Sequence, residues 1–255
     1  MSSSLPIVSV RGVVKVHAKD KAPVVAVSGI DLTLASGESV ALVGPSGCGK
    51  STLLNLLSGV DRPDEGEVRV GGLNLAQAKE HELVELRRRV VGVVFQQFHL
   101  VPHLTVAENV ALPLSLAGRR DDARVHALLE RVGLVKRAGH YPGELSGGEQ
   151  QRTAVARALV HSPALVLADE PTGNLDSSAG AAVLDLLDEL RRETNAALLL
   201  VTHDAAIAAR ADRIVRMKDG RIVTEEQRTN PIHAAAHTTH VDHEAARPDE
   251  HLSRP

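Results

Sequence analysis

Ser39-Val40-Ala41-Leu42-Val43, followed by Gly44-Pro45-Ser46-Gly47-Cys48-Gly49-Lys50-Ser51, is the stretch on which the rest of the chain is read. The first five residues fit a short strand buried on both faces. The next eight match GxxxxGK[ST], a glycine-rich turn that passes a strand into a helix. Glycines let the backbone fold tightly enough for successive N–H groups to point at one anion, and the start of a helix near Lys50 adds partial positive charge. The pattern predicts a phosphate cradle over Gly44, Pro45, Ser46, Gly47, Cys48, Gly49, Lys50, Ser51 and Thr52. Lys50 would reach the β- and γ-phosphates of a nucleotide, and Ser51 would hold Mg²⁺. Cys48 is the only cysteine, so no intramolecular disulfide and no Cys-rich zinc site can form. Its thiol is expected to face the nucleotide, open to alkylation and shielded by ATP.

Composition narrows the class. The chain has 255 residues, 43% of them hydrophobic, enough for one core with a subdomain. Net charge is −3 and aromatics make up 1%, which supplies neither the basic footprint nor the stacking surface of a nucleic-acid binder, so no nucleic-acid partner is expected. No run approaches the roughly 18 apolar residues of a membrane span, and Met1-Ser2-Ser3-Ser4 does not open a signal peptide. A cytosolic protein is the expectation.

Outward from the glycine-rich turn, the Val-rich stretches Ile7 to Val16 and Val24 to Leu34 read as an antiparallel sheet. Glu80 to Arg89 reads as a polar helix, followed by an apolar strand, Val90 to Val94. The pattern then becomes helical, with Thr105 capping Val106 to Leu116 and Asp121 preceding a second amphipathic segment through Val132. Strand–helix alternation returns with strands at Ala164 to Ala168 and Ala197 to Val201 around a helix from Ser177 to about Arg192. Asp219-Gly220 between short apolar runs signals a hairpin. From Glu225 the composition turns polar, and His233, His237, His240, His243 and His251 crowd a stretch expected to be a flexible, solvated tail.

Ala164-Leu165-Val166-Leu167-Ala168-Asp169-Glu170 is an apolar strand ending in two acids. Such a strand delivers its carboxylates to the sheet edge where the glycine-rich turn lies, so Asp169 is assigned to the Mg²⁺ shell and Glu170 to general-base activation of water. Leu145-Ser146-Gly147-Gly148-Glu149-Gln150-Gln151-Arg152 places a hydroxyl and two bare glycines at the start of a helix, read as Glu149 to Val160, making a second anion site.

This last motif resembles the signature of ATP-binding cassette (ABC) ATPases, and the resemblance covers Ile7 to Val223. It implies an α/β fold of the P-loop NTPase type, a RecA-like parallel sheet core with an N-terminal antiparallel β subdomain and an inserted α-helical subdomain at about 97–158. The nucleotide-binding domain would span 1–225 and the tail 226–255. It further implies ATP and Mg²⁺ as cofactors and a head-to-tail homodimer in which Ser146, Gly147, Gly148 and Glu149 of one subunit face the phosphate loop of the other. Gln96 matches the family glutamine that touches Mg²⁺ or the γ-phosphate and relays nucleotide state to a membrane partner. Asp176, in Asn174-Leu175-Asp176, matches a residue that crosses the dimer interface, and doubles as a helix cap. His203 matches the switch histidine at the γ-phosphate. The adenine-stacking aromatic falls at His17, where the family usually has tyrosine. Phe95 to Pro102, Leu104 to Val110 and Leu167 to Asp176 look like the macrolide-export and lipoprotein-release subfamily, whose partners are FtsX-like permeases, although His99 stands where asparagine is frequent. The implied function is ATP hydrolysis that drives a separately encoded permease from the cytosolic face of the membrane. One alternative stays open, a mechanotransmitting ATPase that regulates envelope proteins without transport.

Overall fold

The computed structural model describes residues 5–19 and 22–228. The elements in chain order are β1 (Val8–Lys19), β2 (Ala22–Leu34), β3 (Ser39–Val43), α1 (Lys50–Leu57), β4 (Glu65–Val70), β5 (Leu73–Asn74), α2 (Glu80–Arg89) and β6 (Val91–Phe95). There follow α3 (Val106–Leu116), α4 (Asp122–Arg131), α5 (Gly147–Leu159), β7 (Leu165–Asp169), α6 (Ser177–Glu193), β8 (Ala197–Val201), α7 (Ala205–Ala208), β9 (Arg213–Lys218) and β10 (Arg221–Gln227). Two sheets form, an antiparallel one in the order β2-β1-β4-β5 and a six-stranded one in the order β10-β9-β3-β8-β7-β6. In the larger sheet β9, β3, β8, β7 and β6 run parallel, and β10 closes one edge antiparallel to β9. This is the P-loop NTPase architecture with an N-terminal antiparallel sheet that the sequence implied.

Strict alternation along the central strands builds two cores at once. Val40, Leu42, Leu165, Leu167, Ala197, Leu199 and Val201 point to a cluster shared with the antiparallel sheet, α1 and α2. Val166, Ala168, Leu198 and Leu200 point the other way, into a cluster with α3, α4, α5 and α6. Burial on both faces is why these strands read as unbroken apolar runs rather than alternating ones. Strands β6 and β7 begin one residue later than the sequence pattern indicated.

Two boundaries shift further. Helix α5, expected from Glu149, begins at Gly147 because Ser146 is the N-cap: its hydroxyl accepts from Glu149 N–H at 3.3 Å while Glu149 Oε2 accepts from Ser146 N–H at 2.9 Å. That helix lies inside the segment read as an insert, yet it packs directly on the sheet, because Gly92 of β6 has no side chain where a Cβ would come 2.2 Å from the Ala158 carbonyl oxygen. At the other end, Glu225, Glu226 and Gln227 continue β10 opposite Val215, Ile214 and Arg213, although composition places them in the tail. An edge strand with one solvated face carries no apolar signal. The hairpin itself forms at Asp219 and Gly220, whose φ values of +50° and +76° are those of a type I′ turn. The His-rich stretch lies outside the described residues.

Candidate functional site

Parallel register brings the motifs together. Phe95 lies opposite Asp169, Asp169 opposite Val201, and Val201 opposite Leu42. The residues that follow these row partners (Gln96, Glu170, Thr202 with His203, and the loop from Gly44) therefore leave the carboxyl edge of one sheet side by side. Ligand crevices of open α/β sheets occupy that edge, where strand order switches. Here the switch is at β3, with β8 on one side and β9 on the other.

The loop from Gly44 to Gly49 is shaped from both sides. Gly49 has φ +104°, and a Cβ there would lie 2.2 Å from the Ala26 carbonyl oxygen of β2, so no other residue fits. Gly220 N–H, from the β9–β10 turn, donates to Cys48 O at 3.1 Å. Lys50 is buried, and its ammonium donates to Gly44 O at 2.8 Å and Pro45 O at 2.9 Å, which sets it at the centre of the loop.

Cys48 departs from expectation. Its side chain is 4% exposed and belongs to the core under the loop, with Sγ 3.9 Å from Lys50 Nζ and 2.7 Å from where a Gly44 Cβ would sit. The thiol faces inward, and only the backbone of Cys48 lines the loop. The inward turn of this one side chain inside so tight a loop was not legible from residue order.

Ser51 Oγ donates to Asp169 Oδ2 at 3.2 Å. Burial pushes the Asp169 carboxyl above its ordinary range, an effect opposed by the Ser51 hydrogen bond, reinforced by Glu170 and opposed again by Lys50. A hydroxyl and a desolvated carboxylate are hard oxygen donors that suit Mg²⁺. Among the described residues no group of three or more His, Cys, Asp or Glu forms a metal cage. A cation here would thus take its remaining ligands from phosphate and water, the usual arrangement for Mg²⁺.

Glu170 has φ +44°, a left-handed conformation that breaks the strand and turns the chain away from the sheet. Its N–H still donates to Val201 O at 3.0 Å, and its Oε1 lies 3.1 Å from Nδ1 of His203, whose ring is largely exposed. The Gln96 side chain lies over Gly173, where a Cβ would come 2.6 Å from its Nε2, and Asn174 Nδ2 donates to Gln96 O at 2.9 Å. Asp176 caps α6, accepting from Ala179 N–H at 2.9 Å, the Ser178 hydroxyl at 2.7 Å and Ser178 N–H at 3.0 Å, and these bonds hold its carboxyl below the usual range. His17, at the end of the described part of β1, brings Nε2 to 3.4 Å from Thr52 Oγ1 on α1. It therefore stands beside the helix that follows the phosphate loop.

Ser146, Gly147 and Gly148 open α5 near the Asn174-Leu175 loop, with 3.5 Å from the Gly147 Cβ position to Leu175 Cδ2. They are not in hydrogen-bond contact with the residues from Gly44 to Ser51. Ser146 and Gly147 lie exposed or half-exposed. Sequence reasoning missed three supports of the site: Gly220, already described, Arg157, and Gln151, which is fully buried on α5 with Nε2 3.4 Å from Phe95 O. Gln151 stands in the motif after Ser146 with no role of its own, Arg157 carries no motif signal, and Gly220 reads only as turn chemistry.

The chain is similar to several known proteins. The lipoprotein-releasing system ATP-binding protein LolD of Legionella pneumophila is 47% identical over 201 residues, 78% of this chain and 88% of that protein. The pyoverdine export ATP-binding/permease protein PvdT of Pseudomonas fluorescens is 46% identical over 230 residues, 89% of this chain and 35% of that one. The macrolide export ATP-binding/permease protein MacB 1 of Aeromonas hydrophila is 45% identical over 237 residues, 92% and 36% of the two chains. The chain spans about a third of the length of these two export relatives. Among solved structures, the ATP-binding cassette MJ0796, a dimer in a post-hydrolysis state bound to ADP and Pi, superposes with a TM-score of 0.80 at 39% identity, covering 86% of this chain and 98% of that chain. The family model described as ABC transporter matches residues 27–173, more than half of the chain, and the protein belongs to that family.

Proposed function

We propose that the chain is the ATP-hydrolysing subunit of an ABC transporter, acting as a homodimer on a distinct FtsX-like membrane permease from the cytosolic side. The observation that carries this reading is the row Phe95, Asp169, Val201 and Leu42, which sets Gln96, Glu170, His203 and the phosphate loop along one sheet edge. Lys50 and the loop N–H groups bind the phosphates, and Ser51, Asp169 and Gln96 hold Mg²⁺, which when bound offsets phosphate charge. Glu170 accepts a proton from the attacking water, and His203, 3.1 Å from Glu170, orients that carboxylate and contacts the γ-phosphate. His17 stacks on adenine.

No hydrogen bond joins Ser146 to Gly148 with the phosphate loop, and in this reading one chain encloses a nucleotide from one side only. A second copy, turned head to tail, closes the other side with its Ser146, Gly147, Gly148, Glu149 and Asp176. The MJ0796 cassette is named as a dimer, which supports a two-copy assembly. Binding closes the pair and hydrolysis reopens it, and the permease follows. Among the described residues no helix is long and apolar enough to cross a membrane. A groove between α2, β6, α3 and α5, lined by Arg88, Phe95, His99, Leu112 and Leu116, adjoins the Gln96 segment and offers the partner a face. Relatives named as export ATP-binding/permease proteins pair this cassette with a permease in one chain.

Phosphate release from Mg-ATP by the purified protein, with Lys50→Ala as control, tests the activity. Co-purification with the product of a neighbouring permease gene tests the partner. Absence of hydrolysis both alone and with that permease refutes the reading.

A further inference from the structure

The segment Phe95–His99, which carries Gln96, is held in a conformation that its own residues do not favour. Phe98 and His99 have left-handed φ values of +59° and +47°. His99 N–H donates to Gln97 O at 2.5 Å, closing a γ-turn around Phe98, a rare and strained shape for non-glycine residues. What holds it comes from α5. The Arg157 guanidinium donates through one nitrogen to His99 O at 2.5 Å and through the other to Phe98 O at 2.7 Å. Burial disfavours the charge of Arg157, and among the described residues no carboxylate pairs with it. Its fork is committed to these two carbonyls, and a planar guanidinium presents its donors to them in a fixed geometry that a flexible ammonium does not.

The same segment is fastened at other points. Gln151, also on α5, reaches Phe95 O, and the Phe95 and His99 rings meet edge to face at 4.7 Å. Phe98 comes within 3.8 Å of the Gly147 Cβ position at the start of α5, and Asn174 holds Gln96 O from the opposite side. One helix thus presents Ser146 to Gly148 at its N-terminus and, about three turns on, the fork that shapes the Gln96 loop.

We propose that Arg157 is a positioning residue for hydrolysis: by clamping the Phe98 and His99 carbonyls it sets where the Gln96 amide stands relative to Ser51 and Asp169. It ties that place to the orientation of α5. The proposal rests on the reading of Gln96 as a contact to Mg²⁺ or the γ-phosphate.

The test is a double-mutant cycle in the full chain, comparing Gln96→Ala, Arg157→Ala, Arg157→Lys and the Gln96→Ala combinations. Turnover, ATP KM, the Mg²⁺ concentration giving half-maximal rate, and thermal midpoint are read for each. Arg157→Ala is expected to lower kcat by about ten-fold or more and to raise the Mg²⁺ requirement, with ATP KM unchanged. Arg157→Lys, which keeps the charge but not the fork, should fall between. Adding Arg157→Ala to Gln96→Ala should cost little further, because the two act through one amide. Losses that multiply in the double variant would overturn the proposal, as would wild-type kcat and Mg²⁺ dependence in both Arg157 variants. If Gln96→Ala alone leaves turnover intact, the reading of Gln96 fails first. Should Arg157→Ala melt below the assay temperature, the cycle built on Arg157→Lys decides by the same criterion.

Discussion

Replacing Glu170 with glutamine separates chemistry from stability at this site. The carboxyl and the His203 ring lie 3.1 Å apart, with side chains 25% and 71% exposed, so solvent screens their attraction. Such a pair contributes at most about 1 kcal/mol, and an amide can still hydrogen-bond the imidazole. The thermal midpoint should therefore move by no more than roughly 2–4 °C. The chemical loss is much larger, because a neutral amide cannot take the proton of the attacking water. General-base catalysis is worth about 10²–10⁴-fold, or roughly 3–5 kcal/mol of barrier. Phosphate release should fall by that factor with ATP affinity retained, and Mg-ATP should hold Glu170→Gln as a dimer in sizing chromatography. Turnover within ten-fold of wild type in a protein of normal midpoint would refute the assignment of the base. A monomer under saturating ATP would refute the two-copy enclosure.

Three further outcomes follow from the geometry. Cys48, 4% exposed beneath the loop, should react with maleimide slowly in the native protein and rapidly in denaturant; fast labelling of the native chain that ATP suppresses would restore the outward-facing thiol. His17→Ala should weaken ATP binding by about 1 kcal/mol and His17→Tyr should tighten it, measured by titration calorimetry, and equal affinities would leave the base stacked elsewhere. Acid should destabilise the fold through its cap carboxylates. Glu108, Glu149 and Asp176 are held below their ordinary values first by backbone N–H bonds from Thr105, Ser146 and Ala179. Because their folded values are depressed, the stability they contribute is present above the unfolded values and is lost as pH falls through the folded ones. Asp169, raised by burial, works in the opposite direction. Urea midpoints that decline only below about pH 4.5 meet this expectation, and midpoints that rise on acidification contradict it.

Residue order alone determined most of this protein. GxxxxGK[ST] after an apolar run, a second apolar run ending in Asp169-Glu170, and the caps at Thr105 and Asp121 are local signals, settled by backbone sterics and hydrogen bonds within a few residues. Only tertiary structure decided how those pieces meet. The register that puts Phe95, Asp169, Val201 and Leu42 in one row joins strands far apart in the chain. The parallel seating of β9 beside β3, which brings Gly220 under Cys48, left no trace in the hairpin signal. Cys48 read as a reactive loop residue because its neighbours in sequence are phosphate-binding, yet the packing beneath the loop turns it inward. Arg157 carries no motif signal in the sequence, and its contacts are two carbonyls about 60 residues away, a distance over which residue type carries no directional information.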